Sequence, residues 1–267
     1  MPSIEELSES LGHAVVEAMA TNRTSIATKI ETELKPAFRA SIIVPVYNEE
    51  DVICRTLLCL SRYLGFDYEL IVCDDASTDE TYSLLKTMKT ENPNIRLIHS
   101  DVRIGKGGTI KKAIEIANSD VIVYLDADLS ASLDDLPHLL KSASKSDALV
   151  ISQRTMQGRL TQGVLRLTLS MGYNMLARLF FRTGITDHQC GFKAMKKKVA
   201  KQLIAQTSND GFVFDTELIV RAKRLGIPIK EVQVDWVERR PKRANTKWLR
   251  ASFEMMKDLI VLKENLR

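Results

Sequence analysis

From Ala40 onward, short runs of β-branched and aliphatic residues alternate with longer stretches whose apolar residues recur every three or four positions. The runs SIIVPVYN (41–48), YELIVCDD (68–75), NIRLIHS (94–100), DVIVYLDAD (120–128) and DALVISQR (147–154) predict buried strands. Between them, EEDVICRTLLCLSRYLG (49–65), DETYSLLKTMK (79–89), GGTIKKAIEIA (107–117) and SLDDLPHLLKSA (132–143) carry helical spacing. Apolar strands separated by amphipathic helices predict an α/β fold: a mostly parallel, Rossmann-like sheet with helices on both faces. In such sheets ligands sit beyond the carboxyl ends of the strands. Three polar clusters fall there, Tyr47-Asn48-Glu49, Asp74-Asp75 and Asp126-Ala127-Asp128, and are expected on one rim.

After Arg154 the rhythm breaks. GVLRLTLSMGYNMLARLFFR (163–182) predicts a long helix, DHQCGFKAM (187–195) a loop and short strand, GFVFDTELIVRAKRLG (211–226) a helix and IKEVQVDW (229–236) a strand. A basic loop, ERRPKRANTK, leads into a basic amphipathic helix over 248–267. At the other end, Leu7, Leu11, Val15 and Met19 place helical spacing in a polar leader. The expected organisation is a leader over 1–38, a main domain over 39–240 and a C-terminal helical segment over 241–267.

Composition narrows this only slightly. Of 267 residues, 45% are hydrophobic and 27% charged, as in an ordinary globular chain. A net charge of +4 is too mild to argue for nucleic acid, and few aromatics interleave the basic residues. The four cysteines form no Cys-x-x-Cys pair, which speaks against a zinc site and suits reduced thiols in the cytosol. The acidic start MPSIEELSES does not read as a signal peptide, and Asn22-Arg23-Thr24 reads as a chance glycosylation match. No uncharged apolar run approaches the ~20 residues that a spanning helix needs, so any membrane association is expected to be peripheral.

The candidate chemistry centres on Asp126 and Asp128. Two carboxylates this close are unfavourable unless a cation lies between them. Mg²⁺ favours one or two carboxylates plus substrate phosphates. The bland alternative is two solvated acids at the start of a loop. RIGKGG (103–108) lacks the order of a P-loop. It is either a flexible turn before a helix or a donor site offering Lys106 and backbone N–H groups.

PVYNEE (45–50), CDDASTDET (73–81), RIGKGGTIKKAI (103–114), LDADLS (125–130) and DHQCGFK (187–193) occur in the order found in inverting GT-A glycosyltransferases, over roughly residues 40–240. The chain most resembles the dolichyl-phosphate glucose and dolichyl-phosphate mannose synthases, with GKGG and DxQCGFK nearer the glucose branch. The resemblance implies hexose transfer from a nucleotide-sugar, UDP-glucose or GDP-mannose, to a polyprenyl phosphate. It implies Mg²⁺ or Mn²⁺ held by Asp126 and Asp128. It implies a donor site at Pro45, Tyr47, Glu49, Asp74 or Asp75, Asp126 and Ala127, which Lys106 joins if RIGKGG serves the donor. It also implies acceptor or sugar contacts at Arg154, Arg166, Ser170, Asp187, Gln189 and Lys193, with Arg154 among the catalytic groups. Asp215 and Glu217 match an acidic pair near the family's active site, although two acids also simply suit a helix start. Ser130 stands where mannose synthases commonly carry a metal-binding Gln.

Arg166 and Ser170 share one helix face, while Leu165, Leu169, Leu176 and Leu179 line another and Arg178 and Arg182 flank the end. With Leu249, Phe253, Met256 and Ile260 on the last helix, and Lys247, Arg250 and Lys257 beside them, the pattern suits helices lying in a membrane interface, and the resemblance favours that reading, on the cytosolic face and with a partner as a further anchor. Ordinary helices packed on the body are the alternative. Two other functions fit the acids less well: a haloacid-dehalogenase-type phosphatase, whose nucleophilic Asp sits near the N-terminus, and a peripheral protein that binds nucleotide-sugar without turnover.

Overall fold

The computed structural model of the chain describes residues 39–64, 67–161, 163–239 and 245–266. The leader over 1–38 and the basic residues 240–244 lie outside the described residues. Seven strands form one sheet: β1 (Ala40–Val46), β2 (Tyr68–Asp74), β3 (Ile95–His99), β4 (Val121–Tyr124), β5 (Leu149–Arg154), β6 (Lys193–Lys196) and β7 (Ile229–Val234). Their order is β3-β2-β1-β4-β6-β5-β7. β6 runs antiparallel to β4 and β5, and the other neighbouring pairs are parallel. The expected α/β, mostly parallel sheet is therefore present, with one reversed strand.

Strand alternation divides the core in two. Ile42, Val44, Leu70, Val72 and Val123 face one side, where they meet α1 (Ile53–Leu64), α2 (Thr81–Glu91) and α4 (Leu136–Ser144). Ile43, Ile71, Cys73, Ile122 and Tyr124 face the other, against α3 (Gly105–Ile116), α7 (Lys197–Ile204) and α8 (Phe214–Arg224). Pro45 sits inside β1, beyond its last paired residue on the β4 side, Ile43, so its missing N–H breaks no rung there. Two helices have no counterpart among the expected elements: α5 (Met156–Leu160) and α7. The first is too short to show periodicity, and the second follows β6 directly.

The long helix α6 (Val164–Phe181) and the last helix α9 (Asn245–Asn265) share a third cluster with α8. Tyr173 and Ala177 of α6 meet Leu259 and Leu262 of α9 and Val220 of α8. The stripe expected on α9 is thus only partly the outward one. Met256 packs into the cluster, whereas Phe253 is 74% exposed and Ile260 is also exposed. The side chains of Lys247, Leu249 and Arg250 lie outside the described residues. On α6, Leu165, Met171, Met175 and Leu179 are exposed, while Leu176 leans on the cluster. No helix among the described residues is long and apolar enough to cross a membrane.

Candidate active site

The carboxyl ends of β1, β2 and β4 form one rim, as the sequence pattern predicts. Each is followed by a non-glycine residue in the left-handed region: Asn48 (φ 52°), Ala76 (φ 57°) and Leu129 (φ 50°). Side chains tie the first two loops together. Asn48 Oδ1 accepts from the Thr78 N–H at 2.8 Å, and Thr81 Oγ1 accepts from the Glu49 N–H at 2.8 Å. Beside them the Tyr47 ring carries the Arg103 guanidinium 3.9 Å above its centroid.

Asp126 and Asp128 lie on a turn rather than on the strand, because β4 ends at Tyr124. The Asp126 carbonyl accepts from the Leu129 N–H at 3.2 Å, which closes that turn. Period-two alternation therefore does not align the two acids, but the turn still brings both to one cleft. Leu129, Ser130, Cys190, Gly191, Phe192 and Trp236 complete much of its lining. Ala127 is buried, and its carbonyl accepts from Thr56 Oγ1 at 2.5 Å. Gly191 is fixed by contact: a Cβ there would lie 2.3 Å from Asp126 Oδ2. The CGFK glycine is what allows the carboxylate its place.

Lys106 joins this cleft to a buried network. Its ammonium lies 2.7 Å from Asp126 Oδ1 and 2.8 Å from Asp215 Oδ2. Asp215 Oδ1 in turn receives the Lys193 ammonium at 2.6 Å and the Tyr124 hydroxyl at 2.8 Å. Burial alone would raise the Asp215 carboxyl, but Lys106 and Lys193 outweigh it and hold it below the ordinary range. Burial would likewise lower Lys106, yet Asp126 and Asp215 hold it above the usual lysine value. The GKGG part of RIGKGG is the first turn of α3, and Arg103 and Ile104 stand just before it. Asp75 accepts from the N–H groups of Ile104 (2.7 Å) and Gly105 (2.9 Å), and the Asp210 carbonyl accepts from Gly107 (2.7 Å).

These contacts place the other expected site residues. Asp75 is buried, and each of its carboxylate oxygens accepts an N–H from the Lys106 segment. Asp74 is buried as well. One of its oxygens holds His99 Nδ1 at 2.8 Å and the other has no partner. Lys193 is 0% exposed, with its remaining contact the Cys190 carbonyl at 2.6 Å, so it supports the cleft from behind. Glu217 closes the turn before α8 by accepting from the Ser208 and Asn209 N–H groups, and it pairs with Arg221 at 3.0 Å.

A cationic cluster stands at the end of β5. Arg154 grips Asp187 with Nε at 2.7 Å and Nη2 at 2.8 Å. Arg159 of α5 reaches the same carboxylate at 3.1 Å. Ser170 lies 3.5 Å from Arg154 Nη2 and donates to Gln189 at 2.8 Å. The Arg154 guanidinium lies 5.4 Å from the centroid of the Trp236 ring, which also lines the cleft. Arg154, Ser170, Asp187 and Gln189 are thus brought together although the first and last stand 35 positions apart. Burial would raise the Asp187 carboxyl, but Arg154 and then Arg159 pull it down to about 2. Asp187 is itself fully buried and holds both arginines in place. Arg166 stands apart from this group, paired with Glu238. Sequence reasoning missed Arg159, Arg103 and Trp236; an arginine in a five-residue helix carries no periodic signal.

Next to Asp187, His188 is enclosed. Its Nε2 meets Thr183 Oγ1 at 2.8 Å and its Nδ1 meets Asn174 Oδ1 at 3.1 Å. Burial lowers its pKa to about 4, with Lys193 and Arg178 adding to that and Asp187 opposing it. A buried base held neutral stabilises the fold above its unfolded pKa of ~6.5, and that stability is lost as pH falls toward the folded value. Unfolding free energy is therefore expected to drop by about 3 kcal/mol between pH 6.5 and 4 on this account alone. Urea midpoints of the wild type and of His188→Gln across that range check it; equal slopes would refute the assignment.

The donor atoms fit a hard divalent cation in one respect. Asp126 and Asp128 offer carboxylate oxygens to a single cleft, as expected of a site that a nucleotide's phosphates complete. Among the described residues no group of three or more His, Cys, Asp or Glu side chains could hold a metal without such help.

Comparison with known proteins agrees with this architecture. Glycosyltransferase AglD of Haloferax volcanii is 35% identical over 219 residues, which cover 77% of this chain and 35% of that protein. Dolichyl-phosphate beta-glucosyltransferase ALG5A of Trichomonas vaginalis is 32% identical over 211 residues, covering 74% of this chain and 65% of its own length. The dolichyl-phosphate beta-glucosyltransferase of Drosophila melanogaster is 30% identical over 225 residues, covering 77% and 69% respectively. The chain thus spans about a third of the first of these relatives and just under two thirds of the second. Glucosyl-3-phosphoglycerate synthase from Mycobacterium tuberculosis, solved with Mn²⁺, UDP-glucose and phosphoglyceric acid, shares the fold with a TM-score of 0.63 at 20% identity, over 84% of this chain and 79% of that one. The Glycosyl transferase family 2 model matches residues 41–204, and with the GT-A sheet order and the acid pair after β4 already in place, the chain belongs to that family.

Proposed function

We propose that the protein transfers a hexose from a nucleotide-sugar to a polyprenyl phosphate of the dolichol type, with inversion, using Mg²⁺ or Mn²⁺. The observation that carries this reading is the pairing of two anion-handling centres on one rim: the Asp126/Asp128 cleft with Lys106, and the Arg154–Arg159 cluster linked to it through Trp236. Relatives named dolichyl-phosphate beta-glucosyltransferase favour glucose and a dolichyl phosphate. The UDP and Mn²⁺ of a structural neighbour are consistent with UDP-glucose as donor. Family membership sets the phosphatase alternative aside.

In this reading Asp126 and Asp128 would hold the cation, and when bound it would supply Lewis-acid stabilisation for the departing nucleoside diphosphate. Tyr47 and Arg103 offer a stacking surface for the base, and Pro45 and Glu49 shape its edge. Lys106 adds positive charge beside the diphosphate. The acceptor phosphate monoester, with a second pKa near ~6, is already a nucleophile at neutral pH. No side chain then has to remove a proton, which agrees with an Asp215 carboxylate fully engaged by Lys106, Lys193 and Tyr124. Arg154 and Arg159 share one carboxylate between two guanidinium groups, leaving net positive charge for the acceptor, with Ser170 and Gln189 alongside.

The acceptor is a lipid, and the exposed Leu165, Met175 and Leu179 of α6 and Phe253 of α9 offer apolar surface suited to a membrane interface, placed in this reading on the cytosolic face. Residues elsewhere in the protein, or a partner, would add anchoring.

The deciding assay supplies radiolabelled UDP-glucose, GDP-mannose and other nucleotide-sugars with short-chain polyprenyl phosphates and Mn²⁺. Label should enter the organic phase from UDP-glucose; label confined to the aqueous phase with every donor would end the proposal. Arg166, on the acceptor side and paired only at the rim, is expected to matter less. Arg166→Ala should raise the acceptor KM by about threefold to tenfold and leave the donor KM unchanged, as initial rates at varied acceptor will tell.

A further inference from the structure

The cleft that takes the diphosphate already holds a cation. Lys106 is only 13% exposed, and its ammonium touches the same Asp126 carboxylate that the proposed function gives to the metal. Three features make this contact releasable. Asp215, the other partner of Lys106, keeps Lys193 at 2.6 Å and Tyr124 at 2.8 Å if Lys106 leaves. The backbone around Lys106 is held independently, by Asp75 on Ile104 and Gly105 and by the Asp210 carbonyl on Gly107 and Gly108. Gly105 adopts a φ of +85°, and a Cβ there would lie 2.3 Å from the Asp210 carbonyl oxygen, so that anchorage is close and specific. Motion is thereby confined to the flexible Lys106 side chain. Finally, Asp126 is 38% exposed, so a cation arriving from the cleft can reach it.

We propose that Lys106 is a placeholder cation. It occupies Asp126 while the site is empty, and it yields that carboxylate only when a divalent cation comes with a nucleoside diphosphate, whose phosphates accept the displaced ammonium. The inference rests on the metal-dependent reading above. Its physical basis is charge balance. A divalent cation alone must displace an ion pair and then sits beside an ammonium left with Asp215 as its one carboxylate partner, which is repulsive. With the diphosphate present, the ammonium gains a new partner. Metal and nucleotide binding are therefore positively coupled, and by linkage each tightens the other equally. Lys106 acts here as a positioning residue that sets the order of assembly.

The test measures Mn²⁺ binding to the full chain by the electron paramagnetic resonance signal of free Mn²⁺, with and without UDP. The wild type should bind Mn²⁺ weakly alone and much more tightly with UDP. Lys106→Met should bind Mn²⁺ alone about tenfold more tightly than the wild type. Its gain from UDP should shrink by at least the same factor. Lys106→Arg should retain wild-type coupling. Lys106→Gln serves as a second charge-removing variant if Lys106→Met does not fold, as judged by circular dichroism. Mn²⁺ affinity in the charge-removing variants equal to or weaker than wild type overturns the placeholder role, while label transfer by the wild type would leave the functional reading standing. Absence of Mn²⁺ binding to the wild type even with UDP overturns both.

Discussion

Gly191→Ala is expected to slow hexose transfer at least about 100-fold, matching Asp126→Asn, although it adds one methyl group and changes no charge. That methyl would lie 2.3 Å from Oδ2, 2.4 Å from Oδ1 and 2.5 Å from Cγ of Asp126, and real carbon atoms do not approach so closely. The carboxylate must move by on the order of 1 Å, and misplacement of that size at a reacting centre costs about two powers of ten. Asp126→Asn reaches the same loss differently, by halving the negative charge offered to the cation and by weakening the Lys106 contact at 2.7 Å. Asp128→Asn should behave alike, and EDTA should silence the wild type. Initial rates of label transfer, with circular dichroism to verify folding, check all four. Gly191→Ala turning over within threefold of wild type would show that the aspartate position is not what the chemistry depends on.

Asp215→Ala is expected to cost about 3–5 kcal/mol of stability, because it strands a fully buried ammonium on Lys193. For a domain of this size that corresponds to a fall in Tm of roughly 6–20 °C. Lys193 retains the Cys190 carbonyl and the face of the Tyr124 ring, neither of which carries a negative charge, and Tyr124 loses its acceptor. Removing both members of the pair is a different matter. Asp215→Ala with Lys193→Met leaves no unpaired charge on β6 and should recover much of the loss, since buried ion pairs often gain little over apolar packing. Urea and thermal unfolding of the single and double variants decide this. A single variant within 1 kcal/mol of wild type would mean that water reaches Lys193 and the network is not sealed. The two predictions separate cleanly: the first removes activity at intact stability, and the second removes stability.

What could be read in the sequence followed physical periodicity. The strands β1, β2 and β4 show alternate apolar residues on two buried faces, and α1 and α4 show a single apolar stripe, so the sheet, its two-sided cover and the rim at the strand ends were all legible. The direction of β6 was not. A four-residue strand, KAMK, pairs with β4 on one side and β5 on the other, and nothing in four residues specifies antiparallel over parallel. The acid pair was legible as two carboxylates closing an apolar run, but what brings them together was not: β4 stops at Tyr124, and a turn closed by Leu129 carries both acids. Long-range electrostatics were the least legible. Lys106 and Asp215 meet across 109 positions, and Arg154 and Asp187 across 33. Charged residues at such separations carry no periodic signature. Hence the buried contacts of Asp75, Asp187 and Lys193, which hold the residues beside them, could not be read from the sequence.

The left-handed turns at Asn48, Ala76 and Leu129 carry a consequence for recognition. Each costs on the order of 1 kcal/mol that a glycine would avoid, yet each is retained on the edge where three strands end. A glycine at Ala76 would ease the local torsion and at the same time let the unliganded edge sample many shapes. With side chains in place, the edge holds its contour in advance, and an arriving ligand does not have to freeze it. Part of the entropy of recognition has been spent at the folding stage, so this edge should select ligands by shape with little adaptation on contact.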